Sequence, residues 1–239
     1  MNEHWSGISN NPVARDSLEF VSGELRRCYR GVLPSYLEVM RQYTEGKSVL
    51  DIGVVEHCRE FIDSPDWKHR IIKTLARRAV GCDILKDEVT YLRTLGLDIR
   101  LVDATSSADL GEKFETVYIG DVIEHVNDAS ALLRFAGRHA QTDGEIVVTT
   151  PCPFWWKTFA SCIKRRPFVG NVDHVCWVTP FNAMELAHRA GLSFVGYHLV
   201  QNLGRGPLTA TLHRLRRYIG LQDSEIFSWA YVYNFRTRA

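Results

Sequence analysis

Two histidines and a ladder of carboxylates hold most of the chemistry in this sequence. His125 ends the run Asp121-Val122-Ile123-Glu124-His125, and His174 sits in Val172-Asp173-His174-Val175. An imidazole titrates near neutral pH, at about 6.5 when unperturbed, so either ring can take a proton from a hydroxyl or an amine. Asp173 is placed to orient His174. Each histidine also has a purely structural reading, His125 as a cap or packing group for the next helix and His174 as a hinge for the segment before it. His57 and His69 are weaker candidates. The acids recur at the ends of short apolar runs: Asp51 before Gly53, Asp83 after Gly81-Cys82, Asp103 before Ala104, and Asp121 after Gly120. If those runs are parallel strands, their carboxyl ends are where ligands bind. An acid at the second end can accept both hydroxyls of a ribose and one at the third an adenine amino group, which outlines an adenosine site. The plainer reading has Asp51 satisfying loop amides and Asp83 capping the next helix.

These groups need elements to hold them. Residues 47–52, 79–84, 99–102, 116–120 and 145–150 are continuous apolar runs of the kind that fill a parallel sheet covered on both faces. Between them lie amphipathic stretches over 67–78, 86–95 and 127–140. Ser64-Pro65 reads as the start of the first, Gly96 as the stop of the second, and Asp143-Gly144 as a turn after the third. Strands alternating with helices predict an α/β doubly wound sheet. A helix over 179–190 and strands over 194–200 and 230–236 follow, the last two pairing antiparallel. Residues 14–45 read as two helices broken at Gly31 and Pro34. The expected division is an N-terminal helical extension, 1–46, and a main domain, 47–239, with inserts at 151–177 and 203–227, the second carrying a basic helix near 212–219.

Composition narrows the function classes. The chain has 239 residues, net charge +1 and mean hydropathy −0.16, without an apolar run long enough to span a membrane. Its start lacks a basic-then-apolar leader, so a cytoplasmic location is expected. Six cysteines without a C-x-x-C pair read as reduced thiols, and no metal ligand set is assigned. Charge is segregated: residues 81–130 hold eleven acids and four bases, while 151–170 hold Lys157, Lys164, Arg165 and Arg166 and no acid. In that insert Phe154, Trp155, Trp156 and Phe159 add apolar area. One reading is a site for an acceptor with an apolar or sugar-ring body and an anionic group; the other is a helix with an aromatic core side and a solvated basic side. Near-neutral net charge and no recognised RNA-binding module argue against nucleic acid as partner.

Taken together, VLDIG (49–53), GCD (81–83), VDA (102–104), FETVYIGDVIEHV (114–126), DGEIVVTTP (143–151) and DHVCWVTPFNAMELAHRAGL (173–192) resemble a class I S-adenosylmethionine-dependent methyltransferase. The resemblance covers roughly residues 47–200, and the final strand extends it. It implies a Rossmann-like, mostly parallel seven-stranded sheet with an antiparallel last strand. It implies S-adenosylmethionine as cofactor, with Asp51 and Gly53 framing its loop, Asp83 on the ribose, Asp103 and Ala104 at the adenine, and Asp121 beside the methionine moiety. His125 and His174 become the candidate bases for methyl transfer to a small-molecule or glycan-type acceptor, at oxygen. Asp121 to His125 is also similar to the E-x-x-E-H segment of ubiquinone-pathway O-methyltransferases, which binds a divalent ion there. Two departures stand out. Val55 and His57 occupy the positions of the second and third loop glycines, and Gly53 to Asp83 spans 30 residues rather than roughly 20, the excess falling in 58–63. The eroded loop motivates the alternative of a non-catalytic cofactor-binding or partner protein. It also disfavours a nicotinamide enzyme, whose pyrophosphate needs glycine.

Overall fold

The structure, a computed structural model, describes residues 4–164, 167–201, 218, 221 and 223–238. Alternation within the apolar runs decides which face of the sheet each residue meets. In β2 (Ser48–Ile52), β5 (Phe114–Gly120) and β6 (Ala140–Pro151), Leu50, Ile52, Val117, Ile119, Ile146 and Val148 pack on one side. They meet α6 (Ala129–His139) and α8 (Pro180–Arg189). Val49, Tyr118 and Val147 face the other way, against Val39, Met40 and Tyr43 of α2 (Tyr36–Thr44) and Ile72 of α4 (Lys68–Leu75). Both faces are thus covered, which is why these strands read as unbroken hydrophobic runs.

The remaining strands are β1 (Tyr29–Leu33), β3 (Arg78–Asp83), β4 (Ile99–Leu101), β7 (Leu192–Val200) and β8 (Ala230–Thr237), and the sheet order is β1-β7-β8-β6-β5-β2-β3-β4. Only β8 runs against the others, wedged antiparallel between β6 and β7. The expected doubly wound, mostly parallel sheet with a reversed last strand is observed, with eight strands rather than seven. The additional one is β1, where a break between helices was expected. Tyr29, Val32 and Leu33 are good strand formers, Gly31 at φ 98° permits the register irregularity against β7, and Pro34 ends the run. β1 covers the edge that β7 would otherwise present.

Helix starts also differ from the sequence reading. Residues 58–63 fold into a short helix, α3 (Arg59–Ile62), and the Ser64 hydroxyl accepts the Asp66 N–H within the following turn, so α4 begins only at Lys68. Asp143-Gly144 lies inside β6, at a register irregularity against β5. α5 (Lys86–Thr94) ends before Gly96, which takes φ 74°, and α8 opens with a capping box between Thr179 and Asn182. The first insert forms α7 (Trp156–Ile163), which follows α1 (Arg15–Cys28) through α6 in chain order. The second insert falls largely outside the described residues, the expected basic helix included. No described helix is long and apolar enough to cross a membrane.

Candidate active site

From β2 the chain moves outward to β3 and β4, and from β5 it moves the other way to β6, so the sheet reverses its winding between β2 and β5. The crevice at the carboxyl ends of these two strands is the switch point where open α/β sheets bind ligands. Gly53 follows β2 there at φ 82°, and a Cβ on it would collide with the Val122 side chain after β5. Only glycine lets the two loops approach so closely. Glu56 and His57 also have positive φ, 51° and 77°, so of the two positions where glycine was expected His57 keeps a left-handed backbone and Val55 does not. Its support is a small core of its own. Val54 and Val55 are buried with Ile62, Trp67, Leu92 and Ile99, and the Trp67 indole donates to the Val54 carbonyl at 2.6 Å. The lengthened 58–63 segment contributes Ile62 to this core.

Asp83 closes β3 and is nearly buried. Its Oδ2 accepts the Val55 N–H and its Oδ1 the Leu85 N–H, both at 3.0 Å. It therefore braces the loop after Gly53 while keeping a second lone pair on each oxygen for an outside donor. The next residue, Ile84, is 64 % exposed, an apolar surface of the kind a base ring covers. Asp103 is exposed and is held below its ordinary carboxylate range by the Thr105 hydroxyl and N–H, both at 2.7 Å; Ala104 beside it is buried. A bare Gly53, a part-committed Asp83 and an exposed Ile84 fit a nucleoside at this edge. Sequence reasoning missed Ile84, although an apolar residue directly after a strand-end acid was a legible signal.

Asp51 and Asp121 are both engaged by residues that no motif singled out. Asp51 turns inward, its Oδ2 2.8 Å from Nδ1 of the buried His69 on α4. Asp121, at φ 58°, accepts the Tyr36 hydroxyl at 2.7 Å and the Thr149 hydroxyl at 3.0 Å on Oδ1, and Lys68 Nζ at 2.9 Å on Oδ2. Burial alone would lower the Lys68 pKa, but Asp121 and Glu56 outweigh it and hold the ammonium charged. Burial, and then Asp121, push the Tyr36 hydroxyl well above its ordinary value, so it remains a donor. Thr149, a polar residue closing an apolar strand, was legible in sequence; Tyr36 and Lys68 lie in helices without a motif.

The histidines converge one turn further out. The His57 and His125 ring centroids lie 5.1 Å apart, those of His125 and His174 4.7 Å, and those of His174 and Trp177 5.8 Å. The Val175 N–H donates to the Glu124 carbonyl at 2.9 Å, hanging the 174–177 segment on the loop after β5. One expectation is corrected. Asp173 does not orient its neighbour His174; its Oδ2 lies 3.1 Å from Nδ1 of His125. The Asn171–His174 turn, with Asp173 N–H on Asn171 Oδ1, aims the carboxylate across at the other histidine. His174 is lowered by burial and then by His125, which keeps its imidazole neutral.

Glu124 is fully buried, accepting the Thr150 hydroxyl on Oε2 at 3.0 Å, with Oε1 3.9 Å from His174 Nε2. Burial, and then the charge of Asp121, push its pKa up to about 8, so it is protonated at neutral pH. Glu124, His125 and His174 present one ligand atom each within 4.8 Å of one another. One carboxylate and two imidazoles suit a divalent transition ion. Atoms sharing an ion at about 2.1 Å stand roughly 3.3 Å apart, so the 3.9 Å between His174 Nε2 and Glu124 Oε1 would have to close by about half an ångström around one.

No known protein-family profile matches the chain, and no curated protein matches it in sequence. Solved structures do resemble it. One is a chain of the complex between the Haloferax volcanii Trm112 methyltransferase activator and a methyltransferase, with TM-score 0.57 and 13 % identity over 92 % of this chain and 94 % of that one. Another is a SAM-dependent methyltransferase from Archaeoglobus fulgidus, with TM-score 0.53 and 16 % identity over 92 % and 94 %. A third is the cyclase SpnF, with TM-score 0.52 and 14 % identity over 97 % and 86 %. At these identities the likeness is one of fold: the chain has the Rossmann-like fold of class I S-adenosylmethionine-dependent methyltransferases. A cyclase among its neighbours marks why the chemistry must be argued from the site.

Proposed function

We propose that the protein is an S-adenosylmethionine-dependent methyltransferase acting on a hydroxyl of a small-molecule or glycan-type acceptor. The observation that carries this reading is the His125–Asp173 pair standing at the carboxyl edge of the sheet, next to the crevice framed by Gly53, Asp83 and Asp121. When bound, S-adenosylmethionine supplies a methyl carbon made electrophilic by its sulfonium, which departs as the neutral thioether S-adenosylhomocysteine. Asp83 accepts from the ribose hydroxyls, Ile84 and Ala104 flank the base with Asp103 at its amino group, and Asp121 receives the ammonium of the methionine part. Tyr36, Lys68 and Thr149 fix the Asp121 carboxylate for that task, and through Tyr36 helix α2 serves the site.

Asp173 on Nδ1 favours the His125 tautomer whose Nε2 is free, and that nitrogen takes the proton an acceptor hydroxyl loses as its oxygen forms the new bond to carbon. His174, kept neutral by burial, lines the same pocket as a second hydrogen-bonding ring. Positioning the hydroxyl and excluding water supply the rest of the rate.

The test is formation of S-adenosylhomocysteine from S-adenosylmethionine over a panel of phenols, sugars and nucleotide sugars. Turnover with at least one, lost in His125→Ala while calorimetry still records cofactor binding, is the expected result. Cofactor binding with no turnover across the panel, and no difference between wild type and His125→Ala, would favour the non-catalytic alternative.

A further inference from the structure

Helix α7 wears its amphipathic pattern inside out. Trp156, Phe159, Ala160 and Ile163 recur at the three- and four-residue spacing of a single helix face. A helix with such a face normally turns it to the core. Here Trp156, Phe159 and Ile163 are 49, 53 and 76 % exposed, and no residue of α7 is buried. Thr158 and Ser161 on the hydroxyl side are half-buried, as is Ala160 alone of the apolar face, and Ser161 spends its hydroxyl on the Lys157 carbonyl at 3.2 Å. The expectation of an aromatic core side is therefore overturned. Phe168, Val169 and Val172 are exposed as well, up to Asn171, whose side chain lies 3.4 Å from His57. Exposed apolar side chains thus stand on α7 and again beside the rim of the histidine cluster.

Charge selects the occupant. Lys157 and Lys164 are exposed at either end of the ridge, Lys157 also standing 4.5 Å over the Trp155 ring. The sequence has no acid anywhere from 151 to 172. A second copy meeting this face symmetrically would bring like charges together. An exposed aromatic ridge flanked by lysines matches an anionic lipid surface, which takes the rings into its headgroup boundary and the ammonium groups among its phosphates.

We propose that the α7 ridge docks on the surface of an anionic membrane. The inference goes beyond the methyl-transfer reading and does not depend on it, since its test reads binding alone. The full chain is floated with vesicles of phosphatidylcholine alone and with vesicles containing about 30 % phosphatidylglycerol. Binding to the second kind, little to the first, and release by salt are expected. Lys157→Glu with Lys164→Glu should weaken it by about tenfold or more. Phe159→Ser with Ile163→Ser should abolish it, with unchanged thermal midpoints because these side chains are exposed. Three results would overturn the proposal: no flotation with either vesicle, flotation that neither pair of substitutions alters, or a concentration-dependent dimer that Phe159→Ser dissolves, which would assign the ridge to a second copy.

Discussion

His125 and Asp173 are 48 residues apart in sequence and 3.1 Å apart in space, Nδ1 to Oδ2, and the link joins the loop after β5 to the end of the first insert. A carboxylate on one ring nitrogen leaves the other free as a base, and a positioned base is worth about 10²–10⁴-fold in rate. His125→Gln should lower kcat by about 100-fold or more and leave the calorimetric affinity for S-adenosylmethionine within about twofold. Asp173 is 71 % exposed, so Asp173→Asn should cost only a few-fold. Equal rates for His125→Gln and wild type would return His125 to a packing role.

Asp83 serves the loop and, on the present reading, the ribose. Asp83→Asn keeps the shape but replaces one acceptor oxygen by a donor, so one of the Val55 and Leu85 N–H groups loses its partner. Hydrogen bonds to a charged group are worth about 1.5–3 kcal/mol, so affinity for S-adenosylmethionine should fall by about tenfold or more. Melting should show a loss of about 1–2 kcal/mol from the loop itself. A stability loss with unchanged affinity would remove the ribose assignment and leave Asp83 as a loop brace.

What the sequence made legible depended on how local the cause was. Unbroken apolar runs and strand-end acids are local, so the parallel sheet and the positions of Asp83, Asp103 and Asp121 could be anticipated. β1 could not, because its strand character comes from pairing with β7, more than 160 residues later. The partners of Asp51 and Asp121 were hidden for the same reason: His69, Lys68 and Tyr36 reach them from helices with no motif. Asp173 was assigned to its sequence neighbour because adjacency is all a sequence offers, whereas the turn at Asn171 points it at His125. The direction faced by the α7 ridge is a property of what α7 packs against, and no periodicity contains that.

The loop after β2 makes opposite demands at its two ends. Gly53 has φ 82° and no room for a Cβ beside Val122, so Gly53→Ala should destabilise by about 2–3 kcal/mol and weaken cofactor binding by displacing the turn. Val122→Ala in the same chain should restore part of the packing loss but none of the backbone strain. His57 holds φ 77° with a side chain, so His57→Gly relieves strain of order 1 kcal/mol and should leave the thermal midpoint level or higher. A clear fall in midpoint for His57→Gly would mean that its ring, packed 5.1 Å from His125, contributes more than the strain costs.

Glu124 makes stability depend on pH. Burial first, and the charge of Asp121 second, raise its folded-state pKa from 4.5 to about 8. Where a folded carboxyl binds its proton more tightly than the unfolded chain does, its contribution is fully present below about pH 4.5 and is lost as pH climbs through 8. Glu124→Gln keeps the shape and the acceptor for the Thr150 hydroxyl but cannot ionise. Denaturant melts at pH 5, 7 and 9 should therefore find the two proteins nearly equal at pH 5. The variant should gain on wild type between pH 5 and 8 and exceed it by on the order of 5 kcal/mol at pH 9. Parallel curves across the range would mean that Glu124 ionises as it does in water, and a neutral carboxyl beside His174 could then play no part in the proton chemistry of the site.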